Sequence, residues 1–298
     1  MTIDEQFNVY LKEISTRKRA PAKGATIAAY QSYYRCWIQP QLGKLDLSAV
    51  ENGVMRRFVA CLAEAELSPS SIASVTNCVK GIIGSAVDDN GNELYPRKWN
   101  STWIDAPPVE DQNAPTMTRE ALQEAISRTQ GQFQVLCVLL AGTGLRINEA
   151  LSLKTNDLTS SSWEPKASKL VIRKALWRGM EQTPKTQAGK REVDLSPELN
   201  NYLEKQKTND GFLFAGGMNQ PLRIRTIYDL AKKAGIPGFH SFRRYRVTHL
   251  ENAGVPRTLV QFWIGHSEKG ITDRYCRLDR EIETRKEWAT KAGLGFTL

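Results

Sequence analysis

Apolar residues recur at helical spacing through the first hundred positions. Between Ala25 and Trp37 they fall at Ile27, Tyr30, Tyr34 and Trp37, a period close to 3.6. Glu51 to Ala65 repeats the pattern with Val54, Phe58 and Leu62. Ser68-Pro69-Ser70 places proline in the first turn of a helix running through Ile72, Val75, Val79 and Ile82. Asp88-Asp89-Asn90-Gly91-Asn92 ends it as a turn. With a helix beginning near Asp4, this predicts a small all-α module of four short helices. Residues 105–117, with Pro107, Pro108 and Pro115, have no periodicity and read as a linker. Thr118 is the expected N-cap of the next helix, and Gln132 to Ala141 is apolar enough to be a buried one. Gly142-Thr143-Gly144 then leads into a helix holding Glu149. Lys169 to Leu176 alternates as a strand does, and Arg191 to Leu195 is a second strand. The polar turn Thr183 to Gly189 lies between them, and from Ile224 onward helices return. The expected architecture is mainly α with a small antiparallel β-sheet in the second of two domains. These are residues 1–104 and 118–298, joined by 105–117.

Charge separates the two parts. The 298 residues carry 41 Lys+Arg against 32 Asp+Glu, a formal net charge of +9. Residues 1–110 hold 12 basic and 12 acidic side chains, so the whole excess lies beyond them. A basic domain with clustered arginine reads as an anion binder, nucleic acid above all, against the simpler reading of a solvated face. The longest nearly apolar run, Phe133 to Gly142, is well short of the ~18 residues that span a bilayer. The start of the chain has neither a basic stretch nor an apolar core, so a secretion signal is not expected. Five cysteines without a C-x-x-C pair support neither a disulfide framework nor a zinc module. No metal and no other cofactor is expected, and the place of action is the cytoplasm.

Candidate chemistry gathers in the second part. Arg146 follows Gly142-Thr143-Gly144-Leu145 at a helix start, where backbone amides also favour an anion. Glu149, three residues on, shares its helix face. Lys185 sits in the turn between the strands. His240 and Arg243 lie at i, i+3 in the first turns of a helix, with Arg244 and Arg246 beside them. His266 follows Ile264-Gly265, and Tyr275 follows Thr272-Asp273-Arg274. Taken singly, each is as readily a surface or packing residue. In the first part the basic points are Arg17, Lys18 and Arg19 with Lys23, then Arg56-Arg57 and Arg97-Lys98.

The ordered set resembles the active-site set of the tyrosine recombinases, the phage integrase family. The matching text is T-G-L-R-I-N-E-A-L-S-L, P-K-T-x4-R-x-V-D-L, H-S-F-R, and I-G-H-S followed by Tyr275 nine residues after His266. It spans residues about 143–278. The first part is similar to the family's helical core-binding domain through T-I-A-A-Y, I-x-P-x-L-G-x-L and L-S-P-S-S-I. Three positions depart from the pattern: Arg244 where a second histidine is frequent, Phe242 where leucine is usual, and Ile264 for leucine. None replaces a residue expected to do chemistry. No separate arm-binding domain is expected ahead of the helical module.

The resemblance implies a two-domain DNA clamp that cleaves and rejoins DNA through a 3′-phosphotyrosine link. Tyr275 would be the nucleophile, and Arg146, Arg243 and His266 would hold the phosphate as charge builds. Each arginine is worth on the order of 10²–10³ in rate. Lys185 would protonate the leaving 5′ oxygen, an effect of about 10²–10⁴. His240, held by Glu149, would assist the tyrosine. Arg17, Lys18, Arg19, Lys23, Arg244 and Arg246 are expected DNA contacts. The implied partner is double-stranded DNA with a specific core site, bound by a homotetramer on two duplexes, nucleoid-associated and with no membrane. Two alternatives remain: a type IB topoisomerase-like relaxing enzyme, and a catalytically silent DNA-binding regulator of the same fold.

Overall fold

A computed structural model describes residues 1–108, 115–159, 168–184, 189–206, 211–217, 220–265, 278 and 280–298. The chain divides into two compact units, Met1–Asn113 and Ala114–Leu298, and the division falls inside the stretch read as a linker.

The first unit is helical: α1 (Ile3–Thr16), α2 (Gly24–Tyr33), α3 (Gln39–Leu42), α4 (Asn52–Glu64), α5 (Pro69–Gly84) and α6 (Ser101–Ile104). Its helix starts follow local chemistry. Thr2 and Glu5 form a reciprocal cap on α1, and Ser68 Oγ accepts the Ser71 amide at the start of α5. Asp88 gathers the Asn90 and Asn92 amides into the turn after α5. The helix predicted over Ala25–Trp37 runs as α2 and then widens into a π-helix over Tyr34–Ile38. Pro40 explains the widening: without an N–H it cannot continue the i→i−4 ladder, and the Gln39 amide turns to the Tyr34 carbonyl instead. Ile3, Ile38, Leu47, Val50, Met55 and Phe58 lie at the centre of the core.

The second unit has its own core, centred on α8. It opens with α7 (Arg119–Ser127), capped by Thr118, whose Oγ1 accepts the Ala121 amide. Then come α8 (Gly131–Thr143) and the single turn α9 (Ile147–Ala150). A three-stranded antiparallel sheet in the order β1-β2-β5 is formed by Leu158–Thr159, Lys169–Ile172 and Arg191–Asp194, with Leu170 opposite Val193. The run Lys169 to Leu176, expected as one strand, is two. After Ile172 the chain leaves the first sheet and pairs again as the hairpin β3 (Ala175–Trp177) and β4 (Met180–Gln182). The hairpin turns on Arg178 and Gly179, both at positive φ, the geometry of a two-residue turn matched to strand twist. The remainder is α10 (Pro197–Gln206), α11 (Ile224–Lys233), α12 (Phe239–Asn252), α13 (Arg257–Ile264) and α14 (Ile282–Ala292). The tail after α14 packs on its own unit. Leu294 and Phe296 are buried, and Gln123 exchanges two hydrogen bonds with the backbone of Thr297. Among the described residues no helix is long and apolar enough to cross a membrane.

Candidate active site

Two helices end on glycine where the candidate residues meet. Gly144 closes α8 at φ 68 and Gly265 closes α13 at φ 72, a left-handed conformation that only glycine adopts without cost. Gly144 is required twice over. A Cβ there would stand 2.6 Å from Cδ1 of Ile264, so the two helix ends pack directly on each other.

Arg243, on α12, ties these ends together. It donates to the Gly144 carbonyl at 2.9 Å and to the Ile264 carbonyl at 2.7 Å, and it is only 5% exposed. Those carbonyls are the orphan acceptors of helix termini. A guanidinium has five N–H donors, so the two bonds leave others for a ligand. Burial, then the neighbouring charges of Arg146 and Arg191, pushes its pKa down to about 9, which still leaves it protonated at neutral pH.

Arg146 is the N-cap residue of α9, where the glycine turn releases the chain into a new helix. Its backbone N–H donates to Oε2 of Glu149 at 3.1 Å and its Nη1 to Oε1 at 2.8 Å. Glu149 is buried at 2% exposure and accepts from a second guanidinium, that of Arg191 on β5. Burial works to raise the Glu149 pKa, but the bonds and charge of Arg191 and the bonds from Arg146 outweigh it and hold the carboxyl below its ordinary range. Two guanidiniums thus pair with one carboxylate, the charge of Arg243 adds a third, and the local net charge is +2 beside the half-buried Arg146.

His240 sits in the first turn of α12, exposed, and has no hydrogen bond among the described residues. Burial of part of the ring, then the charges of Arg243, Arg244 and Arg146, lowers its pKa, so it is neutral near pH 7 and a hydrogen-bond donor rather than a cation. The expectation that Glu149 holds His240 is corrected: both carboxylate oxygens are taken by Arg146 and Arg191. Lys185, His266 and Tyr275 lie outside the described residues.

The expected DNA contacts separate. Arg17, Lys18 and Arg19 are exposed on the α1–α2 connection, Arg17 pairing with Glu13, and Lys23 is half-buried at the start of α2. Arg244 is half-buried and donates to the Pro115 carbonyl at 2.8 Å. Arg246 is corrected. It is 4% exposed and donates to the carbonyls of Gly293 and Leu294, so it anchors the tail, and burial lowers its pKa to about 10. Arg243 and Arg246 lie at i, i+3 on α12 and both face inward, which their charge alone does not suggest. Among the described residues no group of three His, Cys, Asp or Glu side chains is placed to hold a metal ion.

Sequence reasoning passed over two arginines that the fold buries. Arg191 lies in P-K-T-x4-R-x-V-D-L, where its invariably charged side chain in a buried strand was the available signal. Arg285 on α14, fully buried, pairs with Asp194 and Glu192 and donates to the Leu278 carbonyl. Asp194 in turn accepts the indole N–H of Trp263 at 2.7 Å. Strand β5 therefore grips α13 through Trp263 and α14 through Arg285.

Known proteins are similar to this chain in sequence and in fold. The tyrosine recombinase XerC-like protein of Caldanaerobacter subterraneus subsp. tengcongensis is 24% identical, covering 91% of this chain and 78% of its own length. Among solved structures, the Tn1549 transposon integrase in complex with transposon right end DNA superposes with a TM-score of 0.71 at 20% identity. It covers 96% of this chain and 99% of that one. A lambda integrase tetramer bound to a Holliday junction gives 0.66 at 15% identity, over 91% and 79%. These structural likenesses establish a common fold: mainly α, with a small antiparallel sheet in the second unit. The profile of the phage integrase family matches residues 116–281, more than half of the sequence and all of the candidate active site, and the chain belongs to that family.

Proposed function

We propose that the protein is a site-specific tyrosine recombinase that exchanges DNA strands by transesterification. The observation that carries the reading is the pair Arg146 and Arg243, held 97 positions apart in sequence around one ionised Glu149. That arrangement presents fixed positive charge where a phosphate gains charge on becoming pentacoordinate. The Tyr275 oxygen attacks the scissile phosphorus and the bond to the 5′ oxygen breaks, with Lys185 giving that oxygen its proton. Arg146 and Arg243 take the two non-bridging oxygens, and His240 and His266 add neutral or charged donors. Tyrosine has an ordinary pKa near 10, so its proton leaves as it attacks. The 3′-phosphotyrosyl ester keeps the energy of the broken bond, and a 5′ hydroxyl of the partner strand reverses the step. The balance closes without ATP and without a metal ion.

The partner is duplex DNA carrying a specific core site, with Arg17, Lys18, Arg19 and Lys23 of the helical unit and Arg244 as further phosphate contacts. Four protomers act on two duplexes, the arrangement named for the lambda integrase tetramer on its Holliday junction. The reaction takes place in the cytoplasm, on the nucleoid. A nicked suicide duplex carrying the repeat that flanks the gene tests the reading. The protein should become covalently attached, Tyr275→Phe should abolish the adduct, and two different duplexes should give joint products. Relaxed supercoils without joint products would assign a topoisomerase, and absence of any adduct would assign a regulator.

A further inference from the structure

Arg191 is buried in the middle of the site but has no surface to offer a ligand. Its side chain is 2% exposed, and Glu149 opposite is 3%. Nη2 lies 3.0 Å from Oε2 of Glu149 and Nη1 3.4 Å from Oε1. Nη1 also donates to the Gly189 carbonyl at 3.1 Å and Nε to the Trp263 carbonyl at 2.6 Å. A buried ion pair is seldom the most stable way to fill such a space, since apolar side chains of similar volume do as well or better. Its presence here asks for another reason.

We infer that Arg191 is a positioning residue for strand transfer, neutralising Glu149 so that the guanidinium of Arg146 stays oriented by that carboxylate without being captured by it. The inference rests on the recombinase reading. Glu149 and Arg146 alone would make a closed neutral pair, and a buried carboxylate would hold its cation too firmly to share it with a phosphate. Arg191 supplies the compensating charge from behind. Arg146 then keeps one bond to Glu149, which fixes its direction, while its outer face remains cationic. The groups facing the carboxylate are Arg146 from α9, Arg191 from β5 and, further off, Arg243 from α12. The same guanidinium also joins three chain segments. Gly189 lies four positions after Lys185 in the sequence, Trp263 lies three residues before His266, and Glu149 belongs to the turn that Arg146 opens. One side chain thereby spaces the elements that supply the phosphate donors.

The test compares Arg191→Met, Arg191→Lys, Glu149→Gln and the double variant Arg191→Met/Glu149→Gln. The readouts are adduct formation on the suicide duplex, duplex affinity at low salt, and urea unfolding between pH 7 and pH 4.5. Arg191→Met should slow adduct formation by about 10²-fold, the effect of a small misplacement at a reacting centre, with affinity unchanged. In that variant the buried carboxyl loses its main partner, and its pKa rises above the unfolded value. The folded state then binds the extra proton, and the variant gains stability relative to the wild type as the pH falls. Glu149→Gln in the same chain removes the uncompensated charge, so the double variant should recover about tenfold of the lost rate. A role in packing alone predicts no such recovery. Arg191→Met cleaving at the wild-type rate, or a double variant no faster than the single one, overturns the inference.

Should Arg191→Met fail to fold, Arg191→Lys decides. It keeps the charge and loses the fork, and should cleave about 10-fold slower with the wild-type pH profile of stability. Wild-type cleavage by Arg191→Lys would then overturn the inference. If the wild type itself forms no adduct, the recombinase reading fails. The unfolding series still judges Arg191, because parallel loss of stability in wild type and variant would show that it does not compensate Glu149.

Discussion

The two units use their basic residues in opposite ways. Among the described residues of the second unit four arginines are nearly or wholly buried: Arg191 at 7%, Arg243 at 5%, Arg246 at 4% and Arg285 at 0%. Each has named acceptors, either carboxylates or the carbonyls of helix ends. Among the described residues of the first unit no arginine or lysine is buried, and Arg17 with Lys18 and Arg19 lies at the surface on one connection. A composition count weighs these alike, but their physics differs. A surface cation costs little to place and attracts phosphate through a screened, sequence-independent field. A buried guanidinium needs acceptors to offset its burial, and those acceptors set its direction to within the width of a hydrogen bond. On the proposed function, the second unit would orient charge at one phosphorus, whereas the first would supply affinity. Even among the buried four the duties divide. Arg243 keeps donors in hand, Arg191 is inferred to orient Arg146 through Glu149, and Arg246 and Arg285 hold the tail and α14.

The comparison breaks most sharply at Arg243. Arg243→Ala should lower the adduct rate by at least about 10²–10³-fold while duplex binding at low salt persists. Loss of binding with equal loss of cleavage would place Arg243 among the general phosphate contacts instead. Arg285→Met tests the structural side. It removes the ion pair of the buried Asp194 and leaves it, among the described residues, only the Trp263 indole N–H, so it should cost about 3–5 kcal/mol in urea unfolding. A variant as stable as the wild type would show that β5 does not depend on this grip. Arg246→Met should cost about 1–3 kcal/mol, the price of unsatisfied carbonyls at Gly293 and Leu294, and leave the salt dependence of DNA affinity unaltered. A shallower salt slope would return Arg246 to the DNA contacts.

Replacing Arg17, Lys18 and Arg19 together by alanine should do the reverse. Stability should change by no more than about 0.5 kcal/mol, and the slope of log affinity against log salt should fall by as much as about 3. The smallest expected effect is at His240. Its pKa is lowered in the folded state, so the unfolded chain binds its proton more readily and stability falls as the pH drops through about 6.5. His240→Gln should flatten that part of the profile in part, because His249 is lowered in the same direction.

Much of this was legible from local chemistry. Thr118 and Ser68 cap the helices that their side chains predict, because an N-cap is decided within four residues. Arg146 and Glu149 share a turn, and their pairing follows from spacing alone. The split of Lys169 to Leu176 into strands of two sheets was not legible, since alternation is preserved while the pairing partner changes. Nor was the fate of Arg246. Three residues from Arg243 on the same helix, it meets the tail at Gly293 rather than the gap between Gly144 and Ile264.

The sequence by itself determined the order of the elements, the separation of a neutral helical part from a basic one, and the set of residue types that the reaction requires. Those properties depend on neighbours along the chain or on simple counts. Only the tertiary structure decided which cations are committed to the fold and which face the site. Glu149 meets Arg191 across 42 positions, and Arg243 meets Gly144 across 99. Burial makes such long-range pairs obligatory, because an unpaired charge or carbonyl inside the core costs more than the chain's marginal stability tolerates.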